Sequence, residues 1–457
     1  MTPGGPPGRV RDLVGRVHDG VGRDRSGTVI LAAAAVGLVV RLVVAVVWAR
    51  WPAGLYDPAR YVGYAQSIAD GKGMIDPFTH NPTAYFPPGY PYLVGAALAL
   101  CQAIGAEGSL PEVLGSGQAV VGGLTVLMVG VLGRRIAGGP AGAAAAVVVA
   151  LLPNLVVHAA VVLSETVSIA LMLAFLLVAV PAAGGTLGRG RLVGAGLLFG
   201  AILLVRPVIA GVLVAVVVVW ALDRSGWRTV LTRTGAVVGV GLLCVAPWTI
   251  RNAVRLDGFV PLSTNTGDNL CIGHAPGSVG AFRFLEACAV DVDITDGPRG
   301  EVEGDAAKRD LAIEYALDRW RDQPGLALDR MRYTLRDDHD AIVAVESYRE
   351  DSWMGERTRT LLYDVSDGLW AVIGVVGLVG LVRLVWRRDR DGVALAVTTA
   401  AVLAVPLLTF GDARFKVPVV PLLVIAAAAL VSDGIGRLRP EGRRRTARPG
   451  PPRSPRA

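Results

Sequence analysis

Charge is scarce in this sequence: Asp, Glu, Lys and Arg make up 18% of its 457 residues. That is too little to cover a soluble protein of this length. Aromatic residues amount to 6% and are not interleaved with basic ones as a groove for single-stranded nucleic acid requires. The formal charge of +7 therefore points to no nucleic-acid partner. Its Arg residues sit largely in the two tails and in short turns beside apolar runs. Histidine (5) and cysteine (4) are few, and no Cys/His spacing resembles a zinc site. No internal repeat is visible.

What the chain has in quantity is apolar sequence, with 53% hydrophobic residues and a mean hydropathy of +0.51. Its Val, Ala, Leu and Gly usage suits a GC-rich bacterial genome. The first apolar run, Thr28 to Ala49, is long enough to cross about 30 Å of hydrocarbon. It ends in Val47-Trp48-Ala49-Arg50-Trp51, an interfacial aromatic ending instead of a cleavage site. Further runs lie near 115–133, 141–159, 164–182, 192–206, 207–222, 234–250, 367–386, 391–409 and 416–433. Basic turns separate them, among them Arg134-Arg135 and Arg387-Arg388-Asp389-Arg390. With these turns inside, the chain is an all-α polytopic protein of about ten spans in the cell membrane, both termini cytoplasmic. Residues 89–106 break the parity and are read as a re-entrant or interfacial segment; a full span with different pairing is the other reading.

The organisation expected is a cytoplasmic tail (1–27), a membrane module (28–250) with a first outer loop at 50–88, a large extracytoplasmic loop (251–366), further membrane helices (367–433) and a basic tail (434–457). In the large loop, Ile313, Ala316, Leu317 and Trp320 share one helical face, as do Leu328, Met331 and Leu335. Pro324-Gly325 separates the two helices, which would lie along the membrane surface or cap the bundle. Cys101 and Cys244 fall in apolar runs as packing residues. Cys271 and Cys288 fall in the large loop, where a disulfide is permitted and would stabilise by about 3 kcal/mol; two free thiols are the alternative.

Polar residues at the outer face stand out against so apolar a chain. Asp57, in Leu55-Tyr56-Asp57-Pro58-Ala59-Arg60-Tyr61, suits a base acting on a hydroxyl beside rings that stack on sugars. Asp followed by Pro is also a common helix start. Glu165, in Leu163-Ser164-Glu165-Thr166, is costly at that depth unless paired or functional, or it caps the next helix. Arg206-Pro207 sits at an apex between spans, and Gly411-Asp412-Ala413-Arg414-Phe415-Lys416 forms an outer turn. Positive charge there violates the usual bias, so a negative partner is expected: a lipid phosphate, or Asp412 or Glu165. Arg41, mid-span, reads as a buried structural partner. Asp291-Val292-Asp293 has the form of a nucleotide-sugar motif without a surrounding α/β pattern. Asp337-Asp338-His339-Asp340 reads as a solvated helix end, with cation binding the other reading.

An ordered set of segments carries a resemblance: YDPARY…YFPPGYP, Pro153 through LSET, LLVRP, APWTIRN, FVPLSTNTGDNL and GDARFKVPVVP. Together they resemble the GT-C superfamily of polyprenyl-phosphate-dependent glycosyltransferases, in the branch of protein O-mannosyltransferases and the lipid A aminoarabinose transferase. The resemblance covers residues 28–433. It implies a GT-C-type bundle with two large outer loops and Asp57 as the catalytic base. It implies Arg414, with Arg206 and Lys416, at the donor phosphate, and Asp57 and Glu165 at a divalent metal ion. Tyr56, Tyr61, Tyr85 and Asn269 are expected at the sugar or acceptor. Asp57 is flanked by Tyr56 and Pro58, without the adjacent Asp-Glu pair of the mannosyltransferases. The large soluble C-terminal domain of some relatives is not expected, so acceptor identity does not carry over.

The implied partners are a polyprenyl-phosphate sugar, membrane lipid and a glycan, glycolipid or protein acceptor. A polyprenyl phosphate is a good leaving group, so one carboxylate suffices for inverting displacement. A transporter or lipid flippase is the rival, but transporters place ionisable groups near the midplane in paired repeats, and here they gather at one face.

Overall fold

The computed structural model describes residues 25–182, 185–223, 226–289 and 297–438. The Arg-rich tails and the Asp291-Val292-Asp293 segment fall outside them. Helix α1 (Arg25–Trp48) leads into a first polar loop that carries α2 (Asp57–Ala69) and α3 (Gly89–Ala103). There follow α4 (Leu110–Ala137), α5 (Gly139–Leu151), α6 (Pro153–Val157), α7 (Glu165–Ala179), α8 (Arg189–Val205), α9 (Val212–Leu222) and α10 (Trp227–Arg255). A second polar loop carries α11 (Thr266–His274), α12 (Pro298–Asp318), α13 (Gln323–Leu335) and the short α14 (Asp340–Ala344). Helices α15 (Glu356–Trp386), α16 (Arg390–Leu408) and α17 (Val420–Leu438) complete the chain.

Six of the described helices are long and apolar enough to cross a membrane: α1, α4, α10, α15, α16 and α17, the last two-part with the turn before it. The pair α5 and α6, bent by 62°, makes a seventh if it acts as one span. The chain is thus an all-α membrane protein, with fewer full-length spans than the ten apolar runs suggested. The difference lies in the breaks. Helix α8 has 17 residues, a rise of about 25 Å, and ends where Arg206 leaves helical backbone ahead of Pro207. Helix α7 and the segment Pro207–Leu222 are apolar but short. The run at 89–106 forms the 15-residue α3, also shorter than a span.

Small residues bring the helices together, as lipid-embedded packing requires. A Cβ on Gly130 of α4 would stand 2.5 Å from Ile30 of α1, and one on Gly122 2.5 Å from the Arg41 side chain. Arg41 is 1% exposed and donates to the carbonyls of Gly37 (3.1 Å), Ala150 (3.1 Å) and Val149 (3.0 Å). The Val149 carbonyl would ordinarily accept from residue 153, which is proline and has no N–H. Arg41 therefore satisfies the helix break between α5 and α6, the structural role its mid-span position suggested.

The two polar loops are bound to each other and to α10. Trp248 Nε1 donates to Leu262 O (2.7 Å) and Asn252 Nδ2 to Val260 O (3.0 Å). Arg251 reaches Thr83 O and Met74 O of the first loop, both at 2.9 Å. Thr264 N donates to Ala84 O (3.0 Å). Cys271 and Cys288 are joined by a disulfide, with 5.9 Å between Cα atoms. On α12 and α13, Ile313, Leu317 and Leu328 are exposed, as is Trp320 between them, so this apolar face turns away from the protein. At the far ends of α15 and α16 from the 411–416 turn, the basic turns are paired: Arg135 Nε donates to Asp391 (2.6 Å) and Arg383 to Asp433 (3.1 Å).

Candidate active site

Four side chains from distant segments meet at one end of the bundle. Asp57 opens α2 and Glu165 opens α7; neither Tyr56 nor Ser164, the residue before each helix, makes a side-chain cap. Arg414 Nε donates to Glu165 Oε1 and its terminal nitrogen to Asp57 Oδ2, both at 2.9 Å. Arg206 contacts Glu165 Oε1 at 2.7 Å and donates to Ser164 Oγ at 3.1 Å. Asp412 accepts from Arg414 N at 2.8 Å and fixes the start of the turn that presents the guanidinium. The structure pairs Arg414 with Glu165 as the residues suggested, and adds Asp57.

Access separates the two acids. The Glu165 side chain is 0% exposed and the Asp57 side chain 37%. Glu165 holds the two arginines, and Asp57 is the carboxylate a second reactant can reach. Glu165 Oε2 and Arg206 Nε are buried without a hydrogen-bond partner among the described residues, which leaves bonding capacity inside the centre.

Tyr348 joins this centre without a motif to announce it. Ser347, Tyr348 and Arg349 all have positive φ (48°, 56° and 78°), a costly run for non-glycine residues. Buried Glu346 braces it, accepting from Arg359 Nε at 2.6 Å and Met354 N at 2.6 Å. Ser347 Oγ accepts from Ala53 N at 2.9 Å. The Tyr348 ring packs on Tyr56 at 4.5 Å, and its hydroxyl is buried without a partner among the described residues. Burial, with Asp57 and Glu165 nearby, raises its phenol above the usual range despite Arg414.

A second polar cluster lies beside the first. Asn154 Nδ2 donates to Asp338 Oδ1 (3.1 Å) and Asp340 Oδ1 (2.8 Å). His158 Nε2 faces Asp340 Oδ2 at 3.4 Å. Lys416, 0% exposed, pairs with Asp338 at 3.0 Å and lies over the Trp370 ring at 5.0 Å. Burial pushes the Asp338 carboxyl up to about 6 against the pull of Lys416. Burial also disfavours charge on Asp340, but His158, Lys416 and Asn154 outweigh it and hold that carboxyl below the usual range. Segment 337–340 is therefore not a solvated helix end. Three acids in four residues ahead of the apolar Ala341-Ile342-Val343-Ala344 were the available signal.

The remaining expected residues separate. Tyr61 is buried against Phe86 (4.7 Å) and Tyr90 (4.9 Å), a packing position. Tyr85 lines a cavity of about 390 Å³ between the polar loops; Asp268 lines it and Asn269 does not. A cation between Asp57 and Glu165 would need the place the Arg414 guanidinium holds. Among the described residues no three His, Cys, Asp or Glu side chains are grouped to hold a metal ion. The donor set as arranged does not fit the expected metal.

No protein-family model matches the chain, and no curated protein does. Solved structures do. The Archaeoglobus fulgidus oligosaccharyltransferase complexed with zinc and sulfate aligns with 90% of this chain at 18% identity and a TM-score of 0.53. AglB of the same organism, with an inhibitory peptide and a dolichol-phosphate, aligns with 90% at 17% identity and a TM-score of 0.53. The chain spans about half the length of these proteins, 49% and 50%. ArnT from Cupriavidus metallidurans bound to undecaprenyl phosphate aligns with 90% of this chain and 79% of its own at 18% identity, with a TM-score of 0.41, too low to carry an argument. The oligosaccharyltransferase match shows a shared fold, the GT-C-type membrane bundle.

Proposed function

We propose that the protein is a membrane glycosyltransferase that moves a sugar from a polyprenyl-phosphate donor to an acceptor hydroxyl on the extracytoplasmic side. The observation that carries this reading is Arg414 bonded to both Asp57 and Glu165 at 2.9 Å, with Asp57 open to solvent beside it. Glu165 holds Arg414 and Arg206 side by side, a cationic seat for a phosphate. As the donor phosphate takes up Arg414, Asp57 loses its partner and becomes free to accept a proton.

The acceptor oxygen then attacks the anomeric carbon while its proton passes to Asp57. The bond from that carbon to the phosphate oxygen breaks on the opposite face, giving inversion. The bond's electrons leave with the phosphate, whose charge Arg414 and Arg206 stabilise. The Tyr348 hydroxyl, without a partner among the described residues, supplies a further donor to the same charge. The site end of the bundle faces outside in this reading, with Arg135, Arg383 and Arg387 at the inner end.

The test is release of radiolabelled sugar from a panel of polyprenyl-phosphate sugars by the purified protein. Turnover of at least one donor is expected. Transbilayer movement of the lipid without sugar release would instead establish a flippase.

A further inference from the structure

The cavity between the two polar loops is separate from the Arg414 cluster, but residues on either side of Asp57 in the chain line it. Leu55 and Arg60 line it, and Arg60 stands three residues after Asp57 on α2, on the same face. Its volume of about 390 Å³ falls within the range of small-molecule sites, about 300–1,000 Å³. We infer that this cavity is the acceptor subsite and that it takes a sugar ring bearing no negative charge, an amino sugar most tightly.

The lining decides the class of ligand. Four carboxylates face two cations around the cavity. Lys308 is taken by Asp268 at 2.7 Å, and the Arg60 guanidinium lies over the Tyr85 ring at 4.6 Å. Asp76 uses one oxygen within its own turn, accepting from Phe78 N (2.9 Å) and Thr79 N (3.0 Å). Glu301 accepts from Ala84 N (2.9 Å) and Thr264 Oγ1 (2.5 Å), and Asp305 from Gly267 N (2.5 Å). These bonds hold the walls together and leave carboxylates in excess of cations around the space. Burial raises both the Glu301 and the Asp305 carboxyl, so each gains from an added donor. Hydroxyls and an ammonium satisfy such a lining; a carboxylate or phosphate is repelled by it. Tyr85, with Arg60 laid on its ring, walls the cavity on the α2 side.

This assignment rests on the transferase reading only in naming the ligand an acceptor, so binding is measured without donor. The full chain in lipid nanodiscs is titrated with methyl β-glucosaminide, methyl β-glucoside and methyl β-glucuronide by saturation-transfer NMR. The glucosaminide should bind about tenfold more tightly than the glucoside, the worth of one charge-assisted hydrogen bond, and the glucuronide more weakly than either. Glu301→Gln with Asp305→Asn keeps the accepting oxygens and should abolish the ranking; Tyr85→Ala should weaken all three. The wild-type ranking decides alone if a variant does not fold. No binding to any glycoside, glucuronide binding as tight as glucosaminide, or a ranking that survives the double substitution would overturn the assignment. Failure of sugar release leaves this result intact, and absence of glycoside binding leaves the donor chemistry intact.

Discussion

At the scale of single residues, the site depends on one guanidinium contacting two carboxylates. Lysine offers a point charge and cannot span both, so Arg414→Lys should lower kcat by about 100-fold, with the melting temperature recorded alongside to separate folding from chemistry. Tyr348→Phe removes a hydroxyl with no partner among the described residues and nothing else. It should lower kcat/KM by about tenfold without reducing the melting temperature, and an unchanged kcat/KM would remove Tyr348 from the site. Asp57 and Arg414 were legible through the segments YDPARY and GDARFKVPVVP that carry the resemblance, each beside an apolar run. Tyr348 was not, since its role arises from three left-handed backbone residues that no composition signals. Lys416 was the lesser candidate two residues after Arg414, and its side chain points instead to Asp338 and Trp370. Asp338 also carries a pH signature. It keeps its proton to about pH 6 when folded, against an ordinary value of 3.8. Folding therefore takes up a proton between those values. The resulting stabilisation is complete below the ordinary value and lost as pH rises through 6. The melting temperature of the wild type minus that of Asp338→Asn should fall from pH 4 to pH 6; a flat or rising difference would contradict this.

At the scale of elements, helix ends place the chemistry. Asp57 and Glu165 each occupy the first position of a helix, where the backbone dipole favours a negative charge. Arg206 marks the end of α8, and Arg414 lies in the turn before α17. That turn is held by its neighbours, since Gly411 N donates to Gly280 O at 2.7 Å and a Cβ on Gly411 would collide with Arg330 O. Arg41 serves an element in the same sense, by satisfying the carbonyls at the break between α5 and α6. Arg41→Met should cost about 2–4 kcal/mol, read as a lower melting temperature in detergent, and an unshifted melt would deny it that role. Apolar runs gave the helices readily. The break at Arg206-Pro207 was marked by its charge, whereas the one at Pro153 lies inside an apolar run whose hydropathy does not change across it.

At the scale of the whole molecule, the order of the motifs along the chain was informative because it brings separate segments to one end of the bundle. Two polar loops with charged residues at one face were visible in the sequence. Their mutual clamping through Arg251, Thr264 and Glu301 was not, since each bond joins residues more than 100 apart in the chain. The number of full-length spans was overestimated for the same reason that the fold class was evident: apolar composition reports burial in lipid or protein alike. The GT-C-type fold is shared with proteins of little sequence identity, and a fold supports several chemistries, so the central claim rests on Asp57. It is tested most directly by comparing wild type with Asp57→Asn at saturating donor, with binding of the polyprenyl phosphate measured on the same samples. Loss of transfer by at least about 100-fold with lipid binding retained is the result expected. Transfer that persists in Asp57→Asn at the wild-type rate would contradict the account.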